Sequence, residues 1–140
     1  MATHGTARIG RDQYRTEVEM SGHRLVADEP PAVGGQDQGP SPYDLVLAGL
    51  GACTAITLRM YADRKGWPLE SLEVGLRLHR DAQGALRIER TLEPVGLDPQ
   101  QQARLAEIAE KTPVTLTLKT GLSIHTTLAG DTHGLAASAP

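Results

Sequence analysis

The chain has 140 residues, the length of a single domain. Hydrophobic residues make up 39% and charged residues 22%, so the chain can build a core and need not be disordered. A net charge of −3 offers no positive field for nucleic acid, and one cysteine excludes an internal disulfide and any zinc site built on cysteine pairs.

The N-terminal segment MATHGTARIG lacks the apolar centre of a signal peptide. No run reaches the ~18 apolar residues of a membrane span, and a cytoplasmic protein with no membrane partner is expected. The first third reads as extended: Tyr14 to Met20 alternates, Ser21-Gly22 signals a turn, and His23 to Ala27 returns as a second strand. From Glu29 to Pro42, four prolines and three glycines in fourteen residues predict a loop.

Ser41 then opens the clearest element. It offers an N-cap hydroxyl, Pro42 takes the first helical position and Asp44 follows three residues after the cap. A helix is predicted from Pro42 to about Lys65, stopped by Gly66. Between Leu45 and Leu58 it carries no charge. A helix apolar on every side must be surrounded by its own domain or by another chain, and fourteen residues are too short for a bilayer.

Leu72, Val74, Leu76 and Leu78 next alternate with Glu73, Gly75, Arg77 and His79, a half-buried strand. Asp81 to Gly84 turns the chain, and Leu86, Ile88, Arg90 and Leu92 continue the period back. A second helix is predicted behind the cap Asp98, with Pro99 first, Gln101 completing the box and Leu105, Ile108 and Ala109 as its stripe. Thr112-Pro113 is read as its stop, and Gly121 to Leu128 as a last strand. The tail from Ala129 is expected to fray. The pattern is one α+β domain over 1–140, with its core at about 8–128 and helices on antiparallel sheets.

Cys53 is the residue best suited to chemistry. A free cysteine is often a small buried hydrophobe, and reactivity requires a depressed pKa from a helix N-terminus, a cation or a metal. The N-terminus of its own helix lies roughly 16 Å away. Arg59 projects about 120° from Cys53, and Arg64 lies ~16 Å along the axis. A reactive Cys53 therefore needs an arginine from elsewhere in the fold. The five histidines show no metal-ligand spacing, so no metal and no cofactor is expected. Gly34-Gly35 and Gly39 read as loop flexibility rather than an anion cradle, and Trp67-Pro68 as packing at the helix end.

The run HRLVADEP, a GG before GPSPYDLVLAGLGACTAITLRMYADRKGWPLE, then IER and LAEIAEKTPV resembles the OsmC/Ohr family of stress-induced proteins over about residues 8–128. The resemblance implies an intertwined homodimer in which curved antiparallel sheets wrap two long central helices. It also implies a thiol peroxidase for organic hydroperoxides, with a peroxidatic cysteine, a resolving cysteine, an arginine and a glutamate. Cys53 matches the peroxidatic position. Gly10-Arg11-Asp12 resembles the arginine segment, which makes Arg11 the candidate cation and Arg24 its understudy. Thr112 stands at the resolving position and Tyr43 at the acid position, at a pocket mouth or simply over the helix start. Such a protein takes a small hydroperoxide as substrate and an external thiol or dithiol protein as reductant. The alternative is a non-catalytic dimer that binds a small apolar ligand or partner, with Cys53 as filler.

Overall fold

The computed structural model describes residues 2–130 and the short strand at 137–138. Three strands, β1 (Gly5–Ile9), β2 (Thr16–Met20) and β3 (His23–Ala27), form an antiparallel sheet in the order β1-β2-β3. The Ser21-Gly22 turn sets the register: Met20 faces His23 and Thr16 faces Ala27. β1, within the stretch read only as extended, pairs along β2 from Gly5↔Met20 to Ile9↔Thr16. A single 3-10 turn, Pro31–Val33, interrupts the loop that follows.

The long helix α1 (Pro42–Lys65) has the predicted limits. Ser41 Oγ accepts from Asp44 N at 3.2 Å, and Asp44 Oδ2 accepts from Ser41 N at 2.9 Å. The capping box read from the sequence is thus closed from both sides. Counted over its full 24 residues, α1 is long and apolar enough to cross a membrane by length and composition, which corrects the expectation drawn from its charge-free stretch alone. Two charges within an apolar window do not spoil that test. A protein core helix meets it equally, and Leu58 and Ala62 of α1 are core residues here.

The hairpin β4 (Ser71–Arg80) and β5 (Leu86–Val95) turns where expected. Asp81 Oδ1 accepts from Gln83 N at 2.9 Å and Ala85 N at 3.0 Å, which fixes the turn. Helix α2 (Pro99–Ala109) carries the Asp98/Gln101 capping box in both directions.

The end of α2 departs from the sequence reading. Thr112-Pro113 does stop α2, but it also starts a third helix, α3 (Pro113–Thr120), with Thr112 as N-cap. Proline at the first helical position is as much a start signal as a stop. The strand expected over Gly121–Leu128 shrinks to β6 (His125–Thr126), paired with β7 (Ala137–Ser138). That pairing lies within the stretch expected to fray; residues 131–136 and 139–140 of that tail lie outside the described residues.

The architecture is α+β with antiparallel sheets, as predicted. The chain divides into two compact units, Met1–Ala52 with Val74–Thr91, and Cys53–Glu73 with Leu92–Pro140. The second holds the apolar core: Leu58, Ala62, Leu69, Leu97, Leu105 and Ala109 are buried, with Tyr61, Trp67 and Ile108 packed around them. Trp67 meets Tyr61 edge to face with centroids 5.4 Å apart, the packing expected at the helix end. In the first unit the buried groups are Ala27, Asp28 and Leu50.

Candidate functional site

Four residues of α1 spaced by four, Leu50, Thr54, Leu58 and Ala62, are buried. At ~100° per residue they drift slowly around one side of the helix. Val46, Gly49, Cys53, Ile56 and Met60, spaced by three and four, lie between about 100° and 180° from the centre of that stripe, Cys53 at about 120°. The second set is left open: Ile56 is 55% and Met60 56% exposed, and Val46 is exposed too. Cys53 is partly exposed. Its sulfur approaches Thr57 Oγ1 at 3.9 Å, one turn on, a weak contact. Cys53 is thus partly exposed within its own chain, whereas the adjacent Thr54 is sealed inside.

The arginines sort by what they already hold. Arg59 donates to Asp63 Oδ1 from Nε at 3.0 Å and to Leu69 O from Nη1 at 2.7 Å, so it fastens the end of α1. Arg24 pairs with Glu19 across β2 and β3 at 3.3 Å, with its side chain 86% exposed. Arg11 is exposed in the bend between β1 and β2 and has no ion pair among the described residues. Tyr43, in the first turn of α1, is 58% exposed.

Thr112 occupies a sealed site. Its hydroxyl lies 2.6 Å from Thr115 Oγ1, which also donates to Ala109 O at 3.2 Å. This pair of hydroxyls joins the end of α2 to the first turn of α3. Among the described residues no group of three or more histidine, cysteine or carboxylate side chains converges as a metal site would require.

One residue went unnoticed in the sequence. Asp28, 2% exposed, directs both carboxylate oxygens at main-chain N–H groups. Oδ1 accepts from Glu29 N at 2.7 Å and Tyr14 N at 3.0 Å, and Oδ2 from Gln38 N at 3.2 Å and Gln36 N at 3.4 Å. Burial pushes the Asp28 carboxyl up, but the four N–H donors together outweigh it and hold its pKa below the ordinary 3.8.

The glycines make this wrapping possible. A Cβ on Gly35 would overlap Glu29 O, and one on Gly39 would overlap Val26 O. The Gly-Gly and Gly39 stretch, read as flexible, therefore closes around an anion that the chain itself supplies. An acid followed by two prolines and a glycine-rich loop was the available signal. Beside it lies a cavity of about 410 Å³ lined by Tyr14, Thr16, Ala27, Glu29, Val33 and Pro42 as well as Asp28.

The family model of the OsmC-like protein matches residues 35–127, two thirds of the chain. The chain belongs to the OsmC-like family. Solved OsmC-like folds match over most of its length. An OsmC-like protein from Mycoplasma pneumoniae is 18% identical with a TM-score of 0.68, over 85% of this chain and 88% of that one. An organic hydroperoxide resistance protein OsmC from Legionella pneumophila is 24% identical with a TM-score of 0.62, over 85% and 90%. The organic hydroperoxide resistance protein OhrB of Bacillus subtilis is 24% identical with a TM-score of 0.57, over 84% and 90%. No curated protein matches the sequence. Within this OsmC-like chain the family match encloses Tyr43, Cys53 and Thr112, whereas Arg11, Arg24 and Asp28 precede it.

Proposed function

We propose that the protein is a cytoplasmic, homodimeric thiol peroxidase that reduces organic hydroperoxides through Cys53. The observation that carries this reading is the placement of Cys53 on the open face of α1 beside a fully buried Thr54. Two structural neighbours named for organic hydroperoxide resistance support it. The same open face, with Val46, Ile56 and Met60, supports a second copy as the missing cover, and the apolar surroundings suit an apolar hydroperoxide.

The thiolate of Cys53 attacks the outer oxygen of the hydroperoxide. The S–O bond forms as the O–O bond breaks, and the departing alkoxide takes a proton to leave as the alcohol. Sulfur is oxidised to sulfenic acid and the peroxide is reduced. The chain has no second thiol, and Thr112 cannot form a disulfide. An external thiol therefore displaces water from the sulfenic acid to give a mixed disulfide, and a second thiol releases Cys53 and leaves as the disulfide. Arg11, exposed and without an ion pair among the described residues, is the proposed partner of the thiolate, with Arg24 held back by Glu19.

The test is hydroperoxide consumption with several thiol donors, comparing wild type with Cys53→Ser. Wild type is expected to consume one equivalent quickly and then stall without thiol, with about +16 at Cys53 by mass spectrometry giving way to about +32 or +48 as excess hydroperoxide slowly oxidises the sulfenic acid. If native protein keeps its mass under excess hydroperoxide while denatured protein is oxidised, Cys53 is filler and the chain is a ligand-binding member of its family.

A further inference from the structure

We propose that the cavity beside Asp28 is a binding site for a small organic cation, an ammonium group carried on an apolar body. The cavity belongs wholly to the first compact unit, and the proposal is independent of Cys53 and of the peroxidase reading.

At about 410 Å³ the cavity falls within the size range of small-molecule sites. Its walls are fixed by the chain itself. Asp28 accepts from Tyr14 N at 3.0 Å and Glu29 N at 2.7 Å, so one buried side chain pins two of the lining residues. The 3-10 turn holds a third, Val33, whose N–H donates to Pro30 O at 3.1 Å. The Tyr14 ring lies beside Gly34, where an added Cβ would stand 3.4 Å from Tyr14 Cε2.

The groups left unspent decide the ligand. The N–H groups that an anion would need are already bonded to Asp28, and Thr16 Oγ1 donates to Tyr14 O at 3.0 Å. The Glu29 carboxylate, on a half-buried residue, has no hydrogen bond or ion pair among the described residues. Among those residues no lysine, arginine or histidine lines the cavity, so Asp28 and Glu29 leave it negative. Tyr14 is 39% and Val33 60% exposed, and together with Pro42 they offer aromatic and aliphatic surface. An ammonium group gains a charge-assisted bond to Glu29 and the face of Tyr14, while its apolar body covers Val33 and Pro42. A neutral molecule gains the apolar walls alone, and an anion is repelled.

The experiment titrates the protein with 2-phenylethylamine, a cation at neutral pH, and follows amide chemical shifts. Two isosteres, the neutral 2-phenylethanol and the anionic 3-phenylpropanoate, are run beside it. The amine is expected to shift Tyr14, Glu29, Val33 and Gly34 saturably, with a dissociation constant of about 1 mM or lower for a ligand this small. The alcohol is expected to bind about tenfold more weakly, the scale of one charge-assisted bond, and the anion to leave these signals unmoved. Glu29→Gln is expected to weaken the amine about tenfold, and Tyr14→Leu about two- to fivefold. Glu17→Gln, an exposed change on β2 outside the cavity, is expected to leave binding as it was and so controls for the overall charge. Equal binding of amine and alcohol, no saturation by about 10 mM amine, or equal weakening by Glu17→Gln and Glu29→Gln overturns the proposal.

Discussion

Cys53 and Thr54 are neighbours in sequence, yet ~100° of helical rotation sends one to an open face and the other into the interior. At the α2–α3 junction the hydroxyls of Thr112 and Thr115 bond to each other, and Thr115 also donates to Ala109 O. Thr112→Cys removes the 2.6 Å hydroxyl pair and is expected to cost about 1 kcal/mol in a urea melt. Under hydroperoxide the same variant is expected to form a 53–112 disulfide, seen as a cross-linked peptide under non-reducing conditions, and to resist oxidation beyond the sulfenic acid. A variant that still overoxidises like wild type shows that position 112 does not serve Cys53. Leu105, fully buried in the core, is a contrasting residue. Leu105→Ala is expected to lose about 2–5 kcal/mol of stability by leaving a cavity, with no direct effect on Cys53.

The elements differ in what holds them. α2 is fastened at its start by Asp98 and Gln101, each accepting from the other's backbone N–H. Asp98→Ala is expected to cost about 1 kcal/mol, a fall of roughly 2–5 °C in melting temperature for a chain of this size. The loop before α1 depends on a charge instead. The folded pKa of Asp28 lies below the ordinary 3.8, so the unfolded chain takes up the proton first as the solution is acidified. Its contribution is full above about pH 4 and is lost as the pH falls through the lower, folded value. Tyr14 and Glu29, which line the same cavity, are the titratable groups beside it. Wild type is expected to melt above Asp28→Asn at pH 6, with the gap closing below pH 4.

Both caps and both hairpin turns were legible in the sequence, because a cap or a tight turn is written in four or five consecutive residues. The third helix was not. Its segment, Val-Thr-Leu-Thr-Leu, alternates like a strand, although Thr112 and Pro113 stand at the cap and first position of a helix whose buried residue is Thr115. Asp28 escaped for a related reason: its partners at 14, 29, 36 and 38 are brought together by the fold, and no local pattern records them.

For the molecule as a whole, Val46, Ile56 and Met60 on the open side of α1 are exposed, as are Leu116, Leu118, Leu122 and Ile124, and a second copy of the chain is the proposed cover. Light scattering is expected to give about twice the 14.9 kDa chain mass, with an interface above ~2,000 Å². Met60→Asp, on the open side of α1, is expected to yield monomer or aggregate rather than dimer; a dimer of unchanged stability removes α1 from the interface. The lone tryptophan has a further use. Trp67 stands edge-on to Tyr61 and belongs to the second compact unit, whereas Tyr14 and Tyr43 belong to the first. Excitation at 295 nm, which selects indole, would therefore follow the melting of the Leu58–Leu105 core alone and stay blind to the Asp28 loop. Tyrosine emission compared with it over a pH or temperature ramp would show whether the two halves of this chain come apart together or in turn.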